Sequence, residues 1–261
     1  MDDRPPVQVR LEERAAGQRI AIVTVDNQDQ RNALSNHGKR VLADAIDGLA
    51  SDAALRAIVL TGAGEKSFIG GAHIGEMAGF AHGDASEGPR LTHRACDAIR
   101  RAPVPVIARI NGWCLGAGLE IAASCDMRIA AEHAVFGLPE VLFGLPSGME
   151  ACLLPQLIGW GKTRELVFTG RRIDAAEALR CGLVERLAPL GELDAALDGW
   201  LAAILTAGPR AVRAQKALIT EWEQASIAAS VEAGIAAVAA AHGTEEPRRL
   251  MAAFLARKRG R

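Results

Sequence analysis

The spacing of apolar and polar positions changes period several times along the chain. Residues 7–11 (VQVRL) and 20–25 (IAIVTV) alternate or cluster β-branched residues as strands do, and the polar segment between them, with Gly17, predicts a hairpin. Residues 27–33 form a polar loop. Ser35 then stands where a cap would, ahead of a helix to about Ala50 that places Val41, Leu42, Ala45, Ile46 and Leu49 on one face. Residues 57–61 (AIVLT) read as a short buried strand. The glycine-interrupted stretch 62–71 reads as a loop feeding a helix, and a second helix ends before Pro103.

The same order then repeats. Residues 103–110 (PVPVIARI) predict a buried strand, and residues 116–123 a helix with Glu120 just inside it. Residues 127–130 and 134–137 predict two further strands. The glycines of 111–120 (NGWCLGAGLE) therefore fall where a strand gives way to a helix. Asp174 and Glu177 have capping-box spacing, and Gly182 can end that helix before a strand at 183–187. This alternation argues for an α/β core over residues 1–192. Residues 193–261 predict helices only, with Pro209 and Pro247 near helix starts.

Composition narrows the picture. A chain of 261 residues with 49% hydrophobic content is long enough for one large domain plus an appendage, and a net charge of -1 gives no reason to expect a nucleic-acid partner. No apolar run approaches the roughly 20 residues of a membrane span. The N-terminus, MDDRPPVQVR, carries no apolar signal core, so no membrane is expected and a cytoplasmic location is. Five widely spaced cysteines, Cys96, Cys114, Cys125, Cys152 and Cys181, suggest buried free thiols, with neither a disulfide framework nor a zinc site. The histidines form no close ligand pair, which leaves metal catalysis without a candidate, and there is no tyrosine.

Three familiar motifs fail at a residue their mechanism requires. Gly116 and Gly118 begin a dinucleotide fingerprint whose third glycine is Ile121. Gly161-Lys162-Thr163 ends like a phosphate loop, but its first glycine position is Gln156. No Gly-x-Ser-x-Gly elbow presents a serine nucleophile.

Three segments survive together: 67–77 (SFIGGAHIGEM), 111–120 and 138–144 (LPEVLFG). In this combination the chain resembles the crotonase, or enoyl-CoA hydratase/isomerase, family. The resemblance continues through 158–170 (IGWGKTRELVFTG), 175–184 (AAEALRCGLV) and 251–258 (MAAFLARK). It implies an α/β spiral of repeated ββα units, a C-terminal helical region used in trimerisation, and a homotrimer or homohexamer. It also implies an acyl-CoA thioester as substrate, with coenzyme A part of that substrate and no separate cofactor.

By the same resemblance, two backbone NH groups stabilise an enolate at the thioester carbonyl, at the positions of Gly70 and Ala117. Preorganised NH donors suit this task because charge grows on that oxygen during reaction. The resemblance matches Glu120 and Glu140 to the two glutamates that hold one water in the hydratases. Glu120 is expected to activate the water and Glu140 to supply the C2 proton. Paired carboxylates can divide these tasks because burial and mutual charge separate their pKa values. An isomerase moving a double bond from C3 to C2 would need Glu140 alone, and a non-catalytic acyl-CoA-binding protein neither.

Further contacts carried over to the substrate are Phe68, Ala72, His73 and Ile74 of the loop, with Gly116 and Pro139. Phe254 and Lys258 match C-terminal positions that approach coenzyme A from the same or a neighbouring subunit. Two departures from the family pattern stand out. His73 occupies a position where relatives often carry aspartate. Residues 146–151 (PSGMEA) replace a Pro-Gly-x-Gly-Gly-Thr stretch. Ser147 and Glu150 have capping-box spacing ahead of the apolar run 151–154, and residues 257–261 (RKRGR) are expected to form a solvated end.

Overall fold

The computed structural model describes residues 5–77 and 86–259. Its strands are β1 (Val7–Glu13), β2 (Arg19–Val25), β3 (Leu55–Gly62), β4 (Ser67–Ile69), β5 (Val106–Ile110), β6 (Trp113–Leu115), β7 (Met127–Ala131), β8 (Val135–Gly137), β9 (Arg172–Asp174) and β10 (Arg186–Ala188). The helices are α1 (Asn36–Leu49), α2 (Ile74–Met77), α3 (Glu87–Arg101), α4 (Ala117–Ser124), α5 (Leu154–Thr169), α6 (Ala175–Arg180), α7 (Leu193–Thr206), α8 (Pro209–Trp222), α9 (Ile227–His242) and α10 (Glu245–Arg259).

Two sheets organise the core. One has the order β1-β2-β3-β5-β7-β10 and the other β4-β6-β8-β9. The pairs β3/β4, β5/β6 and β7/β8 each send one strand to each sheet, so every ββα unit advances both sheets by one strand. The ladders β3 to β5 to β7 and β4 to β6 to β8 are parallel. Parallel pairing needs a crossover, which the intervening helices supply. This is the spiral that the resemblance implied. The strands of the larger sheet that lie inside it read as continuous apolar runs because helices cover them. Every residue of β3 is buried.

Several local expectations hold for the stated physical reason. β1 and β2 pair antiparallel across the Gly17 connection. Ser35 caps α1, its hydroxyl accepting from the Gly38 NH at 3.0 Å. Asp174 caps α6 by accepting from the Glu177 NH at 2.7 Å. The Glu177 side chain, however, turns to Lys162 and Arg171 and does not close the box.

Other boundaries move. The last strand is Arg186–Ala188, because Leu183 and Val184 are used in the core and the Leu183 NH returns to the Ala178 carbonyl. Of the cysteines, three are buried, but Cys152 is exposed and Cys181 intermediate. The helical region starts at α7 as its pattern predicts, yet Leu193, Leu197 and Leu201 of this helix pack with Ile20, Val59 and Ile129 on the back of the larger sheet. The core thus runs past residue 192. Beyond it, α9 and α10 carry exposed apolar side chains, among them Ile227, Val231, Ile235, Val238, Met251 and Phe254. Arg257 and Lys258 are exposed, and Gly260 and Arg261 lie outside the described residues. Among the described residues no single helix is long and apolar enough to cross a membrane; α9 and α10 reach that length only together, across a 77° bend.

Candidate active site

The site forms where β6 passes into α4. Gly116 has φ 53° and ψ -126°, a region that excludes side chains and is dominated by glycine. A Cβ at Gly116 would lie 2.6 Å from the Glu140 Oε1 and 3.9 Å from the Gly71 Cα. One point therefore joins the turn before Ala117, the loop before Ala72 and the Glu140 carboxyl. Only a residue without a side chain lets the three meet.

Backbone donors face this point from two sides. Ala117 is the first residue of α4, and among the described residues no acceptor meets its NH, as expected for the open end of a helix. On the other side, the Gly70 NH donates to the Arg31 carbonyl at 2.9 Å. The expectation that Gly70 supplies a donor is therefore corrected, because its hydrogen is already used within the loop. The free donor is two residues on. Leu34 bridges Ala72 by giving its NH to the Gly71 carbonyl and taking the His73 NH, so the Ala72 NH points to the opposite side, where no described residue accepts from it.

Glu120 is 2% exposed within α4, all of whose residues are buried. Its Oε1 accepts the Ala151 NH at 3.2 Å. Burial pushes the Glu120 carboxyl up to about 8; the Glu140 charge adds to this, the Ala151 NH opposes it, Glu150 raises it further and Lys39 lowers it. Glu140 is the second residue of a 3-10 turn, Pro139–Phe143, and is half-buried, with its Oε2 accepting from the Ser147 hydroxyl at 2.8 Å. Lys39, buried on α1, donates to the Gly88 carbonyl at 3.2 Å, and its burial lowers its pKa.

A stability consequence follows from Glu120. Folded Glu120 holds its proton more tightly than the ordinary carboxyl near 4.5, so the fold binds more protons than the unfolded chain between about 4.5 and about 8. This contribution is unfavourable to the fold: it is absent below about 4.5, grows as pH rises, and levels off above about 8. Glu120→Gln removes it. The variant should match the parent in urea denaturation at pH 4.5 and exceed it at pH 8 by roughly 2–5 kcal/mol. A stability difference independent of pH would contradict the shift.

The remaining positions divide. Pro139 is partly buried beside Glu140, and Ile74 is exposed at the start of α2. Phe68 is fully buried in the main core, which corrects its expected side-chain contact with substrate. The His73 Nδ1 accepts the Glu76 NH at 3.1 Å, so its imidazole takes the local capping role at the entrance to α2. Phe254 and Lys258 are exposed on α10, and one chain alone does not bring them to Glu120. The expected cap at Ser147 is also corrected. The 3-10 turn Met149–Leu153 has Gly148 as its N-cap with no side-chain bond; Ser147 serves Glu140 instead, and Glu150 turns inward, 2.6 Å from His93. Met149, between these two residues, has a φ of 42°, which is unusual for a non-glycine residue. Among the described residues no group of three or more His, Cys, Asp or Glu is arranged to hold a metal.

The family model for enoyl-CoA hydratase/isomerase matches residues 15–259. Among similar proteins, the short-chain-enoyl-CoA hydratase of Clostridium acetobutylicum is 34% identical, over 92% of this chain and 93% of its own. The crotonyl-CoA hydratase of Syntrophomonas wolfei is 35% identical, over 93% and 94% respectively. The crystal structure of an enoyl-CoA hydratase from Bacillus anthracis superimposes with a TM-score of 0.91 at 32% identity, covering 97% of each chain. Matched along nearly its whole length in sequence and in fold, the chain belongs to the enoyl-CoA hydratase/isomerase family.

Proposed function

We propose that the protein is an enoyl-CoA hydratase, a hydro-lyase that adds water reversibly across the 2,3-double bond of an enoyl-CoA thioester. The observation that carries this reading is the pair of carboxyls, Glu120 buried and Glu140 half-buried, beside two free backbone donors. The thioester oxygen is held by the Ala72 and Ala117 NH groups. Water attacks C3, the π electrons move toward the thioester, and negative charge collects on that oxygen as an enolate. These donors bind the charge more tightly than they bind the ground-state carbonyl. Protonation at C2 returns the electrons and completes the product. The attacking water gives its OH to C3 and one proton to the carboxyl pair, and the pair gives one proton to C2, so the balance needs no cofactor. Coenzyme A arrives as part of the substrate.

The pair must hold one proton in total to offer both a base and an acid. Burial favours the protonated form of Glu120 before attack begins. The expected division, with Glu120 as the base, then requires that proton to pass to Glu140. A water hydrogen-bonded to both carboxyls provides the path, accepting from one and donating to the other, by which Glu140 gains the proton and Glu120 becomes the base as attack begins. Above about 8 Glu120 no longer retains its proton and hydration should fall. The reading is tested by incubating the enzyme with unsaturated thioesters of increasing chain length, with 2,3- or 3,4-double bonds, and identifying the products. Hydrated 2,3-enoyl product is expected. Double-bond migration without hydration would replace the reading with an isomerase, and binding without turnover with an acyl-CoA-binding protein.

The C-terminal helices are proposed to assemble a homotrimer or homohexamer. Ile227, Val231, Ile235 and Val238 recur at helical spacing on α9 and remain exposed, Ile227 at 86%. A second copy covering this stripe would also let Phe254 and Lys258 reach a neighbouring site. Sedimentation of the full chain should show three or six copies, whereas a monomer at micromolar concentration would remove this part.

A further inference from the structure

Glu150 is a third carboxylate in this region, and hydration as written gives it no task. Its side chain is 7% exposed, whereas His93 of α3, whose Nδ1 lies 2.6 Å from the Glu150 Oε1, is 64% exposed. The other carboxyl oxygen, Oε2, is buried and has no hydrogen-bond partner among the described residues. Leaving a carboxylate oxygen buried and unpaired is costly, so this arrangement calls for a reason.

The reason lies in the turn that carries it. Glu150 and Ala151 are consecutive in the 3-10 turn Met149–Leu153, which packs against α3 and α4. The Ala151 NH is the donor to the Glu120 Oε1. One turn therefore brings to Glu120 both an attractive donor and a like charge. Met149, with φ 42°, puts strain at the start of this turn, and the His93 contact from α3 holds it in place. The other groups that act on Glu120 are Lys39 of α1 and Glu140 of its own 3-10 turn, while the buried Cys96 thiol of α3 feels both Glu120 and Glu150.

We propose that Glu150, fixed by His93, is a positioning residue for Glu120: it anchors the turn that delivers the Ala151 NH to the Glu120 carboxyl, and the same turn carries its own buried carboxyl. The purpose of this arrangement rests on the hydratase reading. The arrangement itself can be measured without turnover. Burial and Glu140 act on Glu120 more strongly than Glu150 does, so Glu150 adjusts a proton affinity that the other two establish.

The test is a 13C NMR titration of the Glu120 carboxyl in substrate-free protein, with the signal identified by its loss in Glu120→Gln. Glu150→Gln keeps the size of the side chain but removes its charge, and the Glu120 midpoint should fall by about half a pH unit or more. His93→Ala, a change at an exposed side chain, removes the clamp and leaves the charge. It weakens the Ala151 contact and moves the midpoint upward. The alkaline limb of kcat/KM should follow the midpoint in each variant. Opposite shifts would support the proposal, since a merely structural role predicts no such pair. An unmoved midpoint in Glu150→Gln, or shifts of the same sign in both variants, would overturn it. If the wild-type protein fails to hydrate any enoyl-CoA, the hydratase reading falls while the NMR result still decides the role of Glu150.

Discussion

Glu120→Gln and Glu140→Gln should each lower kcat for crotonyl-CoA hydration by about 10²–10⁴-fold, the usual worth of a positioned acid or base. Glutamine keeps the volume and the hydrogen-bond acceptor of each side chain. The Ala151 NH can still donate to position 120, and the Ser147 hydroxyl to position 140. What is lost is the ability to take up or release a proton. Because both groups serve one water, the double variant should be little worse than the more damaged single variant. Steady-state kinetics on all three proteins, with thermal melts to establish folding, checks this. Turnover within tenfold of wild type in either single variant would remove that glutamate from the reaction. The effects on stability and activity should also diverge at position 120: the variant that loses turnover should be the more stable protein at pH 8, because a costly buried carboxyl has been removed.

Replacing the Ala72 amide by an ester, through incorporation of lactic acid, should lower kcat by about 10²–10³-fold, the loss typical of one oxyanion donor. The substitution deletes an NH without altering the side chain. It also weakens the Gly71 carbonyl as acceptor for the Leu34 NH, so some loss of stability is expected alongside. The companion ester at position 70, made with glycolic acid, deletes a hydrogen that already goes to the Arg31 carbonyl. It should cost about 1 kcal/mol of stability and leave kcat close to wild type. The two esters lie two residues apart in one loop, yet they should separate cleanly, one in turnover and the other in melting. A large kcat loss at position 70 with none at position 72 would restore the donor expected from sequence.

Much of the fold was legible in the chain because its signals are local. Alternating or continuous apolar runs marked β1, β2, β3, β5 and β7, and Ser35 and Asp174 marked helix starts through their own hydroxyl and carboxylate oxygens. The second sheet was harder to see. β4, β6 and β9 have three residues each, too few to show a period, and β4 and β6 lie within glycine-rich stretches that read as loops. Glu120 and Glu140 could be singled out because two distant motifs point to one chemistry.

The errors at the site share a cause, which is that long-range contacts decide what short-range spacing leaves open. Gly70 looks as suitable a donor as Ala72 until the Arg31 carbonyl arrives from far upstream and takes its hydrogen. Ser147 and Glu150 have the spacing of a cap, but Glu140 and His93 compete for their side chains and win. His73 stands where aspartate is usual and still caps α2, since an imidazole nitrogen can accept the same backbone NH.

The central claim is that this site adds water across a carbon–carbon double bond, and isotope placement tests it most directly. Crotonyl-CoA is incubated with the enzyme in deuterium oxide enriched in oxygen-18, and the product is analysed by mass spectrometry and NMR. The account predicts 3-hydroxybutyryl-CoA with the heavy oxygen at C3 and one deuterium at C2, at a rate that collapses in Glu120→Gln and Glu140→Gln. Deuterium entering the acyl chain with no heavy oxygen at C3, or recovery of unlabelled crotonyl-CoA, would contradict it.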